Sequence, residues 1–260
     1  MKLLYALLIC VLLAGCGISA KQPTATPTST ATLTPQPNLT ATQRANVAAT
    51  QAMRLNNSHA TLTQAAVPTI TAVAEAANAL GEISAAASGI DGLDFSRAKL
   101  VFGPLTDSLV QKSDKYVEVF SPRLSLKNFV ARITFINPYD TATVGNWDYG
   151  LFFRNKYNND QYRLVILSNQ TWTLIDEKTN QYVNSNASKD LTTKKGEENT
   201  IWLIVVNEIA HLFINGTYVQ ALDVPRLTNG DITPATGVYY GNTKSMKTTE
   251  YRNFEVWSLP

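Results

Sequence analysis

The chain has 260 residues with 22 Lys and Arg against 20 Asp and Glu, and its two cysteines both lie within the first 16 positions. Aromatic and charged residues concentrate after about residue 91, where 18 basic and 18 acidic side chains cancel. A neutral region gives no electrostatic footprint for nucleic acid, and without cysteine it cannot hold a disulfide. Roughly 170 residues remain for a folded unit, enough to bury a core.

The N-terminus has the pattern of an export signal. A short positive start precedes an apolar run over residues 3–13, which is too short to span a bilayer. The run ends in Leu13-Ala14-Gly15-Cys16, which resembles the lipobox of bacterial lipoproteins. The resemblance implies cleavage before Cys16 and a diacylglyceryl group on its thiol, with residues 1–15 as signal peptide. We therefore expect a lipid-anchored, extracytoplasmic protein of the cell membrane or outer envelope. The alternative is an ordinary secretory signal with an incidental cysteine.

Residues 16–42 are rich in Thr and Pro and almost free of apolar side chains. Such a segment cannot bury enough surface to offset its loss of conformational entropy on ordering. We predict a disordered linker with polyproline II character, for which an O-glycosylated stalk is the alternative.

Residues 43–90 are Ala-rich, with thinly scattered larger apolar side chains. Leu55 and Leu62 are seven residues apart, as are Val73 and Leu80, which predicts helical segments on either side of Pro68. We expect a partly helical stalk between the linker and the folded domain. A coiled coil that needs a partner, or disorder, remains open.

From residue 91 onward the sequence is typical of an all-β protein, with short Val-, Ile- and aromatic-rich runs between Asn, Asp, Gly and Pro clusters. The run 201–206 is apolar on both faces, which indicates a central strand covered on both sides. Asn215-Gly216 predicts a type I′ hairpin turn. About ten or eleven strands in two packed antiparallel sheets are expected, including 129–135, 147–154, 161–167, 171–176, 201–206, 210–214, 217–222, 236–240 and 251–257.

Several of these runs resemble the concanavalin A-like, laminin-G-like jelly rolls. Their pattern of strand and turn residues is most similar to that of the extracytoplasmic domains attached to bacterial lipoproteins and receptor-type kinases. The matching segments are 128–131, Asn137-Pro138, Trp147 to Arg154, Leu212 to Gly216 and Phe254 to Trp257. The resemblance covers about residues 94–259 and implies that 91–260 form one antiparallel two-sheet jelly-roll sandwich. That fold carries lectins, glucanases, sugar hydrolases and protein-binding modules, so it implies no single function.

Catalytic patterns are weak. The domain has one histidine, His211, and no cysteine to form a nucleophilic site with it. The Glu-x-Asp-x-x-Glu strand of the family's laminarinase branch does not occur, although Gly150 to Arg154 is similar to a strand of its sugar-hydrolase branch. We predict no catalytic residues and no cofactor, and keep a glycoside-processing hydrolase as an alternative.

Binding is the better-supported hypothesis, because flat aromatics beside Asn and Asp suit the C–H faces and hydroxyls of sugars. The candidates near turns and strand ends are Trp147, Tyr149, Tyr157, Trp172, Tyr239 and Tyr240. On the strand that begins at Trp147, alternation places Trp147, Tyr149 and Leu151 on one face and Asp148, Gly150 and Phe152 on the other. The first face is a sugar platform if it is exposed and part of the core if it meets the second sheet.

Calcium is a weaker possibility. Asp140 and Asp148 bracket one loop, and residues 158–160 form another Asn/Asp group. Solvated turn residues are the alternative reading of both groups. Taken together, the sequence predicts a membrane-anchored, non-catalytic binding module for glycans or surface proteins, with a hydrolase or a structural or sensory ectodomain as alternatives.

Overall fold

The computed structural model describes residues 69–111, 117–157, 160–238 and 247–260. The predictions made for residues 1–68, including the signal peptide, the lipid on Cys16, the linker and the helix before Pro68, lie outside the described residues. Residues 158–159, Tyr239 and Tyr240 lie outside them as well.

Within the described residues, twelve strands form two six-stranded sheets in which every pair is antiparallel. In chain order they are β1 Lys99–Gln111, β2 Glu118–Val119, β3 Phe129–Ile136, β4 Trp147–Asn155, β5 Tyr162–Leu167, β6 Thr171–Asp176, β7 Gln181–Ala187, β8 Glu198–Val206, β9 Ile209–Ile214, β10 Thr217–Asp223, β11 Asp231–Val238 and β12 Lys247–Ser258. Sheet A has the order β1-β12-β3-β8-β9-β10, and sheet B has the order β2-β11-β4-β5-β6-β7. The prediction of an all-β, two-sheet jelly-roll sandwich is confirmed.

The strands that the sequence did not predict are β1, β2 and β7. β1 contains Gly103-Pro104 and pairs with β12 through three register shifts, so it lacks regular alternation. β2 has two residues. β7, with the sequence QYVNSNA, is dominated by polar residues that strands usually disfavour.

The central strand and the hairpin are confirmed. β8 lies between β3 and β9 in sheet A. Its side chains Leu203 and Ile204 point to opposite faces, and both are fully buried. Asn215 and Gly216 adopt φ values of 49° and 81°, as the type I′ turn requires.

Helix α1 (Ile70–Ala86) follows Pro68, as the sequence predicted, but it packs on the domain. Thr69 caps its N-terminus by accepting a hydrogen bond from the backbone N–H of Ala72 at 3.2 Å. One side of the helix and of the residue after it is buried against the face of sheet A directed away from sheet B. The contacting residues are Ala76, Ala79, Ile83 and Ala87 on the helix side and Val130, Trp202, Ile204, Phe213 and Trp257 on the sheet.

The expected boundary at residue 91 is therefore not a structural boundary, since the described residues from Thr69 onward belong to one compact unit. The buried side of α1 also differs from the predicted stripe, because Val73 is 46% exposed. Small alanine side chains together with Ile83 make the contact instead, and the alanines let the helix approach the bulky aromatics of the sheet. No helix in the described ranges is long and apolar enough to cross a membrane.

Candidate functional site

Three of the aromatics predicted to contact sugar are core residues: Trp147 and Tyr149 of the platform, and Trp172. Trp147, Tyr149 and Trp172 are 0%, 1% and 0% exposed and belong to the core between the sheets. The Trp147 and Tyr149 rings stack with centroids 5.0 Å apart, and Tyr149 stacks on Phe135 at 4.5 Å. The face of β4 that carries Trp147 and Tyr149 is turned towards sheet A, so these rings cannot meet a sugar without unfolding the sandwich.

The polar ends of two of these aromatics are engaged inside the protein. Trp147 Nε1 donates to the backbone oxygen of Tyr139 at 3.1 Å. The Tyr149 hydroxyl donates to Asn137 Oδ1 at 2.7 Å and accepts from Asn199 Nδ2 at 2.6 Å. Burial raises the pKa of Tyr149 well above its usual range. These contacts assign Trp147 and Tyr149 to the fold.

The two calcium candidates each have a protein partner. Asp140 caps the four-residue helix α2 (Thr141–Val144) by accepting from the backbone N–H of Ala142 at 2.9 Å. Asp148 forms an ion pair with Arg163. Within the part of the chain that the structure describes, no group of three or more His, Cys, Asp or Glu residues is placed to hold a metal ion.

The second face of β4 forms the outer face of sheet B, which is the face directed away from sheet A. Its members Asp148 and Phe152 alternate with the core residues of the strand. In the register of the sheet, Phe152 lies opposite Arg163 of β5 on one side and Thr233 of β11 on the other. The face of β4 that the platform hypothesis chose is therefore the one that packs in the core.

Arg163 is the centre of a charged cluster on this face. Its Nη2 lies 3.0 Å from Asp148 Oδ1, and its Nη1 lies 3.7 Å from Glu177 Oε1. The guanidinium carbon also stands 5.6 Å from the centroid of the Phe152 ring, within the range of a cation–π contact. The side chains of Arg163, Asp148 and Glu177 are 17%, 13% and 24% exposed, so the cluster is largely buried yet reaches solvent.

Asp148 is the most constrained carboxylate of the cluster. Burial raises its pKa, although the charge and hydrogen bond of Arg163 and the backbone N–H of Gly237 act in the opposite direction. A Cβ at position 237 would lie 2.5 Å from Asp148 Oδ1, so glycine is needed for the carboxylate to lie over β11. Asp148 is thus fixed by two partners from neighbouring strands.

Thr233 places an unused hydroxyl next to this cluster. Its side chain is fully buried beside Phe152, and its Oγ1 has no hydrogen-bond partner. A buried hydroxyl without a partner costs about 1–3 kcal/mol. Such a group is uncommon in a folded protein.

Two exposed tyrosines belong to sheet B and the loop that follows β4. Tyr182 on β7 is 73% exposed and pairs in register with Ile175 of β6. Tyr157, the one sequence-predicted aromatic that is both described and exposed, is 49% exposed. Its hydroxyl lies 3.1 Å from both Ser121 Oγ and Asp231 Oδ2. The sequence analysis missed Tyr182 because the polar strand around it was not recognised.

His211 and Arg154 have structural surroundings. His211 lies on sheet A with Nδ1 3.5 Å from the Tyr218 hydroxyl, and burial lowers its pKa. Arg154 ends the strand that resembles the sugar-hydrolase branch, and it is fully buried. Its guanidinium donates to backbone carbonyls of Val224 at 2.8 Å and Leu227 at 2.5 Å, and also to that of Asn207. This arginine ties the β8–β9 turn to the β10–β11 loop and is not available to a ligand.

No family model matches the sequence, and no curated protein matches it. Among solved structures, the chain is similar to the carbohydrate binding module CBM66 from Bacillus subtilis, with a TM-score of 0.45 and 10% identity over 62% of this chain and 95% of that one. A Bacillus subtilis protein of unknown function with a galectin-like fold gives a TM-score of 0.43 and 15% identity over 62% and 88% of the two chains. Sheep galectin-11 gives 0.36 and 12% over 50% and 95%. We transfer no residue role from these structures, and the resemblance to the concanavalin A-like family stays a prediction.

Proposed function

We propose that this chain is a non-catalytic glycan-binding module, held on the extracytoplasmic side of a membrane by a lipid on Cys16. The observation that supports glycan binding is the cluster on the outer face of sheet B, where Arg163 is fixed between Asp148 and Glu177 above the ring of Phe152. The membrane attachment rests on the lipobox-like sequence that ends at Cys16.

The chemistry of the cluster suits sugar hydroxyls. A hydroxyl both donates and accepts hydrogen bonds, so a site for it needs donors and acceptors at short range. The guanidinium supplies donors, and each carboxylate keeps acceptor capacity beyond its bond to Arg163. A nearby exposed ring such as Tyr182 adds an apolar surface for the C–H face of a sugar.

The cluster is organised before any ligand arrives. Asp148 is held by Arg163 and by the backbone of Gly237, and Arg163 is held by two carboxylates. Side chains that are already ordered lose little conformational entropy on binding, which favours affinity for a small polar ligand. This ordering favours a glycan over a surface protein, which would need a larger contact area than the cluster offers.

Binding to a glycan array, followed by calorimetric titration of each glycan that binds, tests the proposal with the full chain. Glu177→Ala should weaken binding several-fold and Arg163→Ala should abolish it, while thermal melts confirm that both variants are folded. Arg252→Ala is the matched control, because Arg252 pairs with Glu198 on sheet A and is 48% exposed. Equal weakening by all three substitutions, or no binding by the wild type, would contradict the proposal.

A glycoside-processing hydrolase is the second candidate, because Asp148 and Glu177 are brought to one guanidinium and burial raises the pKa of Asp148. A general acid needs a raised pKa, but the bound arginine stabilises the charged carboxylate, which favours binding over catalysis. Release of reducing sugar from any glycan that binds, lost in Asp148→Asn, would support the hydrolase.

A further inference from the structure

The register of sheet B brings five side chains into one row across five strands. Thr233, Phe152, Arg163, Ile175 and Tyr182 are successive partners on β11, β4, β5, β6 and β7. Because neighbouring strands are about 4.8 Å apart, the row is about 19 Å long. Residues that are partners in an antiparallel pair point to the same face, so Thr233, Phe152, Arg163 and Ile175 belong to the outer face of sheet B. Tyr182 ends the row on β7, just beyond a register shift in the β6–β7 pair.

Exposure rises along this row. Thr233 is fully buried and Phe152 is 6% exposed at one end, while Tyr182 is 73% exposed at the other. Arg163, with 17% exposure, lies between them. The row is therefore closed at β11 and open at β7, and a ligand on Arg163 would extend towards Tyr182. The distance from Arg163 to Tyr182 is two strand spacings, about 10 Å, which is enough for a short oligosaccharide.

The charges beside the row limit the class of ligand. Arg163 is its one cationic member, and Asp148 and Glu177 both contact the guanidinium. An acidic sugar would have to displace one of these carboxylates or accept repulsion from both. Because Arg163 is already compensated, it supplies hydrogen-bond donors without attracting an anion.

We propose that the site takes a neutral oligosaccharide that crosses the strands of sheet B, contacting Arg163 at one end and stacking on Tyr182 at the other. This inference rests on the proposed glycan-binding function and adds the charge class, the direction and the length of the ligand. Tyr182 acts as the outer contact, because its ring is exposed at the open end of the row.

The experiment is calorimetric titration of the full chain with neutral gluco-, manno- and galacto-oligosaccharides of one to six residues, and with oligogalacturonides of the same lengths. Affinity for a neutral series should rise until the oligosaccharide reaches Tyr182 and then stay constant, and the oligogalacturonides should bind more weakly. Tyr182→Ala should lower the affinity of the longer neutral members about tenfold, the scale of one aromatic contact, and leave the monosaccharide unchanged. Tyr182→Phe should bind the longer neutral members with wild-type affinity.

The control is Tyr218→Ala, which removes a tyrosine that is 44% exposed on β10 of sheet A. The inference is overturned if Tyr182→Ala behaves as Tyr218→Ala does, if affinity does not depend on length, or if the oligogalacturonides bind more tightly. In those cases the proposed glycan-binding function would still hold if Arg163→Ala abolishes binding. Absence of binding to every series, or unchanged binding in Arg163→Ala, would overturn both.

Discussion

Glu255 on β12 forms an ion pair with Arg132 on β3, with Glu255 Oε2 3.3 Å from Arg132 Nη1, on the face of sheet A that α1 covers. The Glu255 side chain is 2% exposed and that of Arg132 is 21% exposed. Burial raises the pKa of Glu255 to about 7, Arg132 acts in the opposite direction, and Glu75 on α1 raises it further. Glu255 is thus a buried titratable carboxyl on the face of sheet A that α1 covers.

We expect the free energy of unfolding to fall as pH rises from 5 to 8. Glu255 loses its proton near pH 7 in the folded protein and near pH 4.5 in the unfolded chain. Its contribution to the free energy of unfolding is therefore complete below pH 4.5 and is lost as the pH rises through about 7. The pKa difference of about 2.5 corresponds to an effect on the order of 3 kcal/mol. Urea denaturation followed by tryptophan fluorescence at several pH values measures it, with Glu255→Gln flattening the profile. A similar slope in wild type and Glu255→Gln would refute the assignment, and Glu198→Gln on the exposed pair is the control.

Trp147→Ala should destabilise the domain by about 3–5 kcal/mol, because the ring is fully buried in the core and its removal leaves a large cavity. Tyr182→Ala should change the free energy of unfolding by less than about 0.5 kcal/mol, since its side chain is 73% exposed. Urea denaturation of both variants gives the comparison. Wild-type stability in Trp147→Ala would mean that the ring is not a core element.

Removal of residues 1–68 should leave the folded domain intact, whereas removal of residues 1–90 should destabilise it. The longer deletion eliminates α1 and uncovers Trp202, Phe213 and Trp257 of sheet A. Thermal melts and binding of a hydrophobic dye distinguish the two, since newly exposed aromatics raise dye fluorescence. Matching melts for the two truncated chains would show that α1 is a stalk and not part of the domain.

Gly237→Ala should weaken glycan binding, because the new Cβ would lie 2.5 Å from Asp148 Oδ1 and force the carboxylate away from Arg163. Gly81→Ala in α1 is the matched control, since nothing lies within 4 Å of a Cβ at that position. It should be neutral or slightly stabilising, as expected for alanine in a helix. Calorimetric titration and thermal melts of both variants check the prediction, and unaltered binding in Gly237→Ala would argue against a role for Asp148.

Cys16→Ser should abolish fatty-acid labelling and release the protein from the detergent phase, because the thiol at the end of the lipobox-like sequence is the expected site of acylation. Metabolic labelling with a palmitate analogue and detergent partitioning measure both effects, with Cys10→Ser as the control. Persistent labelling of Cys16→Ser would exclude lipidation at this position.

Much of the architecture was predictable from local patterns. Short apolar and aromatic runs predicted nine of the strands, most of them by the alternation of a strand half-buried in a sandwich and β8 by its apolar residues on both faces. The run 236–240 overlapped β11, which begins five residues earlier at Asp231. Asn215-Gly216 predicted its hairpin, because few residue pairs tolerate two positive φ values. The sequence by itself also separated the two faces of β4, one with Trp147 and Tyr149 and the other with Asp148 and Phe152.

Which of those faces packs against sheet A was decided only by the tertiary structure. Both faces carry large aromatic side chains, so alternation alone does not say which one meets sheet A. The cluster of Asp148, Arg163 and Glu177 has the same origin, since its members lie on or just after three different strands, 14 or 15 residues apart, and meet only through the pairing of β4, β5 and β6. Likewise, the alanines of α1 form a weak stripe in sequence, and only their contact with the bulky aromatics of sheet A makes the helix part of the domain.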